Sequence, residues 1–128
     1  MNRLIKFRAW DFEKKVMLDK HDELGESLNG RCFMFPPSFE TVNNRYAWMQ
    51  FTGLHDISGK EIYEGDIFVW KKKFAREKGF IEYREDGFRC IVTQHSKHRS
   101  IGVWPLMSMY QYLEVIGNTY ENPELLTL

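Results

Sequence analysis

The sequence predicts an all-β protein with minor short helices. Short runs rich in β-branched and aromatic residues recur at intervals of roughly ten residues, and Gly-bearing turns separate them. Hydrophobic residues make up 43% and aromatic residues 16% of the 128 positions, which is enough to bury a core without disulfides. These observations together favour a small antiparallel barrel or sandwich.

The first third of the chain is predicted to form a β-hairpin followed by a loop-rich extension. Leu4–Trp10 alternates apolar and basic side chains, which is the period of a half-exposed strand, and a polar reversal leads into Lys15–Leu18. Residues 19–30 are acidic and contain Gly25, Asn29 and Gly30, so they predict a loop. Cys32–Phe35 predicts a short strand, which the Pro pair that follows it must end.

The central stretch Trp48–Trp70 carries the densest structural signal. Asp56-Ile-Ser-Gly59 is typical of a turn in which the Asp carboxylate accepts from a backbone N–H two residues on and the Gly takes a positive φ. Glu64-Gly65-Asp66 predicts a second break, again with a positive φ at the Gly. Ile67–Trp70 then predicts a strand with Phe68 or Trp70 buried.

The remaining elements follow from the same reasoning. Further strands are predicted, in chain order, at Tyr46–Phe51, Phe80–Tyr83, Phe88–Thr93, Ile101–Trp104 and Leu113–Gly117. Arg84-Glu-Asp-Gly87 predicts a hairpin turn of the Asp-Gly kind. Leu106–Tyr112 has the spacing of about two helical turns, and Asn122-Pro123 predicts the start of a terminal helical turn.

The charged residues balance, with 18 basic and 18 acidic side chains, so any affinity for nucleic acid must come from a local patch. No apolar segment reaches the roughly 18 residues of a membrane span, and the first residues lack the apolar core of a signal peptide. We therefore expect a cytoplasmic protein with no membrane partner. In a reducing compartment Cys32 and Cys90 should be free thiols with no disulfide between them.

Three blocks of the sequence resemble the signatures of the YopX family, small proteins encoded by phages and prophages. The blocks are Lys6-Phe-Arg-Ala-Trp-Asp11, Met49–Ile67 and Val115–Leu125, and they occur in the expected order across nearly the whole chain. The resemblance implies a β-rich fold with an SH3-like barrel in the C-terminal part and a bacterial or phage cytoplasmic setting. It implies no activity. The chain is thus predicted to be one YopX-like domain over 1–128, with the hairpin and loop-rich extension at 1–45 and a barrel-like core at 46–128.

Cys90, His95 and His98 are close in sequence, and together with Cys32 or His21 they contain the side chains that bind zinc. Their spacing matches no standard zinc motif, and Cys90 is predicted to face the core from the middle of a strand, so we predict no metal site. A Cys-His nucleophile pair is not predicted either, because no nucleophile elbow or oxyanion loop accompanies these residues. We therefore predict no catalytic residue and no cofactor.

Four carboxylates, Asp56, Glu61, Glu64 and Asp66, cluster in the central block and suggest acid-base chemistry or a cation site. The two Asp residues already have structural roles as turn formers, and the two Glu residues flank an apolar pair as solvated positions would.

The basic run Lys71–Lys78 is the predicted functional surface, as a nucleic-acid-binding site. If Lys97 and Arg99 lie on a neighbouring hairpin, the two loops form one positive face beside Trp70, Tyr83 or Trp104, which suits phosphate contact with base stacking. The alternative is an ordinary solvated hairpin. The predicted site consists of Lys71, Lys72, Lys73, Arg76, Lys78, Lys97 and Arg99.

The sequence therefore predicts a non-enzymatic phage or prophage accessory protein, an interaction module that contacts a phage or host protein. The first alternative is a nucleic-acid-binding module that uses the basic 71–78 hairpin, and the second is an enzyme of unrecognised type. A homo-oligomer is a further option for the partner.

Overall fold

The computed structural model describes residues 6–18, 46–71, 77–85, 87–94 and 102–126. These residues are mostly strand, with one short α-helix and two 3-10 helices, so the all-β prediction is confirmed. The strands are β1 (Phe7–Asp11), β2 (Val16–Leu18), β3 (Tyr46–His55), β4 (Glu61–Tyr63), β5 (Asp66–Trp70), β6 (Lys78–Arg84), β7 (Gly87–Gln94), β8 (Gly102–Pro105) and β9 (Leu113–Asn118). The helical elements are α1 (Leu106–Met109) and the 3-10 helices Tyr110–Tyr112 and Pro123–Leu126.

The chain divides into two compact units, Met1–Phe51 and Thr52–Leu128, and the boundary falls inside β3. This division does not decide how many domains the chain forms, so the single domain over 1–128 stays a prediction. The SH3-like barrel also stays a prediction.

In the first unit, β1 pairs antiparallel with β2 and with β3, so the predicted N-terminal hairpin is confirmed. The turn between β1 and β2 forms around Asp11, whose buried carboxylate accepts from the backbone N–H groups of Glu13 and Lys14 at 2.9 and 3.1 Å. Ala9 is fully buried against partly buried apolar side chains of β2 and β3. The predicted acidic loop at 19–30 and the predicted strand Cys32–Phe35 lie outside the described residues.

In the second unit, the last part of β3 is followed by β4, its neighbour in the sheet. Five antiparallel strands form a separate sheet of order β8-β7-β6-β5-β9. Phe68 and Trp70 of β5 are both buried, as predicted, and their ring centroids lie 4.8 Å apart. The other buried side chains of this core are Ile62, Ile81, Cys90, Val92, Leu106, Leu113 and Val115. Most of these side chains come from β5, β6, β7 and β9, so these strands supply most of the core.

The backbone conformations of the turns in this unit agree with those predicted from the sequence. Gly59 and Gly65 take φ values of +87° and +82°, so both predicted left-handed positions are confirmed. The strand β4 was not predicted, because it has only three residues and carries no alternation that periodicity can detect. Gly53 also has a positive φ, +87°, inside β3, where the Thr52 hydroxyl accepts from the Leu54 N–H and donates to the carbonyl of Ile62 at 2.7 Å.

Candidate functional site

The carboxylate of Asp56 accepts three backbone hydrogen bonds. Its Oδ1 accepts from the backbone N–H groups of Ser58 and Lys60, both at 2.9 Å, and its Oδ2 accepts from the N–H of Val115 at 2.8 Å. The first of these bonds is the one that the turn sequence predicts. The third bond fixes the turn against the outer edge of β9, and the N–H of Ile57 adds a bond to the carbonyl of Leu113. Asp56 therefore holds the backbone, which accounts for its place in the fold without any chemistry.

Asp66 and Asn118 hold backbone in the same way. Asp66 is buried, and its Oδ2 accepts from the N–H of Tyr63 at 2.8 Å across the Gly65 turn. The amide oxygen of Asn118 accepts from the N–H groups of Tyr120 and Glu121. Asp56, Asp66 and Asn118 therefore act as structural groups that satisfy backbone donors in turns.

Cys90 lies in the middle of β7 with its side chain in the core, as the sequence predicts. Burial raises the pKa of its thiol to about 12, so the thiolate that a nucleophile or a metal ligand needs is not formed near neutral pH. The other residues that were considered as zinc ligands lie outside the described residues; they are His95, His98, Cys32 and His21. Within the described part of the chain, no group of three or more His, Cys, Asp or Glu side chains is placed to hold a metal ion.

Two of the seven predicted basic site residues, Lys71 and Lys78, are among the described residues, and the other five lie outside them. The ammonium group of Lys71 lies 3.5 Å from a carboxylate oxygen of Glu114 on β9, so this lysine is already part of an exposed ion pair. Lys78 begins β6 and lies opposite Gln94, which ends β7. The chain segments before β6 and after β7 therefore start from the same end of the sheet. The basic nucleic-acid site itself stays a prediction.

The aromatic residues predicted to flank this basic face are placed differently from one another. Trp70 is buried, and its indole N–H donates to a carboxylate oxygen of Glu77 at 3.0 Å, so its ring faces cannot stack on a base. Tyr83 lies five positions beyond Lys78 along β6, roughly 16 Å away, so it belongs to the other end of the sheet. Neither Trp70 nor Tyr83 is therefore placed to stack on a base beside Lys78.

Trp104 is exposed, and its indole folds back along β8. Its Nε1 lies 2.7 Å from the point where a Cβ atom on Gly102 would stand, so the ring covers the Gly102 backbone. Gly102 is the first described residue after the segment 95–101. Of the three predicted aromatic residues, Trp104 alone is both exposed and directed toward the end of the sheet from which the two basic segments start.

The segment Gly102–Tyr112, here called the uncharged strip, is the main surface that sequence reasoning missed. It comprises β8, α1 and the 3-10 helix that follows, and no Asp, Glu, Lys or Arg occurs between Arg99 and Glu114. Three of its apolar side chains are nevertheless exposed: Val103 (46%), Trp104 (48%) and Met107 (72%). Exposed Trp and Met side chains in a segment without charged residues are typical of protein interfaces. The absence of charge along this run is the signal that could have revealed the strip from sequence.

The core of the second unit holds the backbone of the uncharged strip in place. Leu106 is buried in the core of the second unit, and Met109, Tyr110 and Tyr112 pack against that core. The exposed side chains of the strip therefore stand on a backbone that the core fixes, which reduces the entropy lost when a partner covers them.

The two edges of the five-stranded sheet differ. The outer side of β9 receives the Asp56 turn, through the bonds to Val115 and Leu113. The strand β8 pairs with β7 on one side, and on its other side no backbone hydrogen bond to another described residue is formed. Its alternating side chains place Trp104 on the face of Cys90 and Val103 on the face of Ile91.

A family model described as YopX protein matches residues 6–127 of this chain. The chain belongs to the YopX family. Among solved structures, the YopX-family chain is similar to the crystal structure of protein EF1440 from Enterococcus faecalis. The sequence identity is 28%, the match covers 98% of this chain and 99% of that chain, and the TM-score is 0.58. The comparison with curated proteins found no match.

The sequence blocks that resemble the YopX signatures contain Asp11, Asp56, Asp66 and Asn118, which all hold turns. The uncharged strip lies between the second and the third of these blocks. These four residues of the YopX-like blocks therefore stabilise the backbone of the fold. In the described part of the YopX-family chain, no helix is long and apolar enough to cross a membrane.

Proposed function

We propose that this chain is a non-enzymatic phage or prophage accessory protein that binds a phage or host protein in the bacterial cytoplasm through the uncharged strip. The observation that carries the proposal is the exposure of Val103, Trp104 and Met107 in a segment that contains no charged residue. The use of the central carboxylates and of Cys90 within the fold supports a binding role over catalysis.

The energetics of the uncharged strip favour a small interface centred on Trp104. Truncating a central Trp in an interface typically costs about 2 kcal/mol or more of binding free energy, and residues around it contribute mainly by excluding water. Met107 adds an unbranched, polarisable side chain that adapts to the shape of a partner. We therefore expect these two side chains to contribute most of the binding free energy.

The proposal predicts that Trp104→Ser combined with Met107→Ser strongly weakens partner capture. The tagged chain would be used to capture proteins from induced or infected host cells, and captured proteins would be identified by mass spectrometry. The matched control is Ile57→Ser, because Ile57 is an equally exposed apolar side chain (53%) outside the strip. A loss of affinity of about thirtyfold or more in the double variant, with the control unchanged, is the expected result.

The same protein captured equally by the wild type, the double variant and the control would contradict the role of the strip. Far-UV circular dichroism of all three proteins should be the same, because the substituted side chains are exposed.

Nucleic-acid binding is the second candidate function. The observation that favours it is that Lys78 pairs with Gln94 at the same end of the sheet as Gly102, whose backbone Trp104 covers. Basic side chains beside an exposed indole suit phosphate contact with base stacking.

This second function predicts that replacing Lys72, Lys73 and Arg76 with Ala weakens nucleic-acid binding and leaves the stability of the fold nearly unchanged. The unfolding free energy should change by less than about 0.5 kcal/mol, because substitutions of solvated side chains rarely cost more. The plot of log affinity against log salt should become shallower by roughly one unit for each phosphate group that the variant no longer neutralises. Arg84→Ala, at the opposite end of β6, serves as the control and should leave the salt slope unchanged. A wild type that binds neither single- nor double-stranded nucleic acid at low salt would contradict this function.

A further inference from the structure

We propose that Met107 is a reversible oxidation site and that its sulfoxide weakens the binding of a partner to the uncharged strip. Peroxides are the class of oxidant that the site takes. The inference rests on the proposed function, because it assigns a means of regulation to the same surface. The oxidation itself requires only the thioether of Met107 and its exposure.

Exposure distinguishes Met107 from the other three methionines that the structure describes. Its exposed fraction of 72% is the highest among the large apolar side chains of the described residues. Met49 is only 3% exposed, Met17 is partly buried, and Met109 packs against the core of the second unit. A peroxide has to reach the sulfur atom to react with it, so Met107 should react first among these four.

The short helix α1 directs Met107 away from the core. Leu106 and Met109 lie three positions apart on one side of α1, and both contact the core of the second unit. Met107 and Ser108 between them are exposed. Oxidation of Met107 therefore adds a polar group at the surface and leaves the core packing unchanged, whereas oxidation of Met109 would place that group against the core.

The reaction of Met107 with hydrogen peroxide transfers one oxygen atom. A lone pair of the sulfur attacks one peroxide oxygen, the O–O bond breaks and an S–O bond forms. The proton of the transferred oxygen moves to the departing hydroxide, which leaves as water. The sulfur is oxidised by two electrons and the peroxide is reduced by two. Methionine sulfoxide reductases reverse the step, with one enzyme for each sulfoxide epimer. In that reversal the oxygen leaves as water while two thiols form a disulfide.

The sulfoxide changes the uncharged strip where the proposed interface uses an adaptable apolar side chain. The oxidised side chain is polar and chiral, and its oxygen accepts hydrogen bonds from water. A partner that covers this oxygen removes the water, which costs binding free energy unless the partner supplies a donor. We expect the affinity for a captured partner to fall by about tenfold or more. A bound partner covers Met107, so it should also slow the oxidation.

The experiment treats the full chain with hydrogen peroxide and follows each methionine by peptide mass mapping. Met107 should gain one oxygen several times faster than Met109 and Met49. The peroxide is then removed, and capture of the protein identified with the untreated chain is measured again. The oxidised wild type should bind it about tenfold more weakly, and treatment with both classes of sulfoxide reductase should restore the affinity.

Met107→Leu is the matched variant, because Leu keeps the apolar character and nearly the volume of Met and has no sulfur to oxidise. Its affinity should be close to that of the untreated wild type and should not change after peroxide treatment. Far-UV circular dichroism should be the same for the variant, the oxidised chain and the untreated chain, because the altered side chain is exposed.

Equal oxidation rates at Met107 and Met109 would overturn the inference, whatever the chain captures. Equal loss of capture in peroxide-treated Met107→Leu would overturn it as well, because the loss would then come from another residue. Capture that requires Trp104 and Met107 but is unchanged by oxidation of Met107 would overturn the regulation and leave the proposed function standing. Selective oxidation of Met107 in a chain that captures no partner would remove the proposed function and leave the oxidation site standing.

Discussion

Gly79→Ala should destabilise the protein by about 3 kcal/mol or more, the upper part of the range for overpacked sites. A Cβ atom at this position would overlap the carbonyl oxygen of Ile91 on β7 and approach the Cζ atom of Phe68 on β5 to 2.9 Å. The backbone of β7 cannot move away without breaking the β6–β7 ladder, and the Phe68 ring is buried in the core. The added methyl group therefore forces a shift of backbone, which costs more than a change of rotamer.

Urea unfolding followed by circular dichroism measures this loss, and Gly87→Ala is the matched control. Gly87 begins β7, and a Cβ atom there would meet no heavy atom within 4 Å. Its substitution should change the unfolding free energy by less than about 1 kcal/mol. Equal effects of the two substitutions would show that the close approach at Gly79 is not a constraint on the fold.

Asp56→Ala should cost about 3 kcal/mol of unfolding free energy, because three backbone N–H groups lose a charged acceptor at once. A buried donor that is left without a partner typically costs about 1 to 3 kcal/mol, and the turn donors regain part of this loss from water. Asp56→Asn should give an intermediate loss. Its amide oxygen can still accept from Ser58 and Lys60, while its NH₂ group would face the N–H of Val115.

Hydrogen exchange at the Val115 amide tests the mechanism separately from the overall stability. In the Asp56 variants this amide should exchange faster relative to the other core amides of β9, because its acceptor is gone. Ser58→Ala is the control within the same turn, since the Ser58 hydroxyl makes one exposed hydrogen bond of 3.3 Å to Glu114 and its loss should cost under about 0.5 kcal/mol. Unchanged Val115 exchange in Asp56→Ala would show that this bond does not hold β9.

The elements predicted correctly from sequence are those whose signal is local. Asp56, Gly59 and Gly65 specify their turns through their own side chains and φ angles, and the runs around Phe68 and Ile91 specify strands through their composition. The constraint at Gly79 is different, because it comes from a carbonyl on β7 and a ring on β5 that only pairing brings near. A sequence window around Gly79 contains neither group.

In the candidate sites, too, local sequence signals predict some features, while others depend on contacts between distant parts of the chain. The burial of Cys90 follows from its place in an apolar run. The contact between the buried Trp70 and Glu77 joins residues seven positions apart, and the local sequence does not specify it. The exposure of Val103 and Trp104 depends on β8 being an edge strand, and the position of β8 in the sheet is set by the pairing of the whole chain. The uncharged run between Arg99 and Glu114 can be read from the sequence, but its exposure at the surface can be seen only from the strand order.

The bond between Asp56 and Val115 also sets the order in which the chain can fold. It joins positions 59 residues apart, and the pairing of β5 with β9 joins Asp66 to Asn118. During synthesis, the outer side of β5 and the Asp56 carboxylate must therefore wait until β9 has left the ribosome, while the β6–β7 hairpin can form as soon as it emerges. The newly made chain thus exposes the apolar strand Ile67–Trp70 along one side until Leu113–Asn118 has been made, and this last strand is the one that covers it.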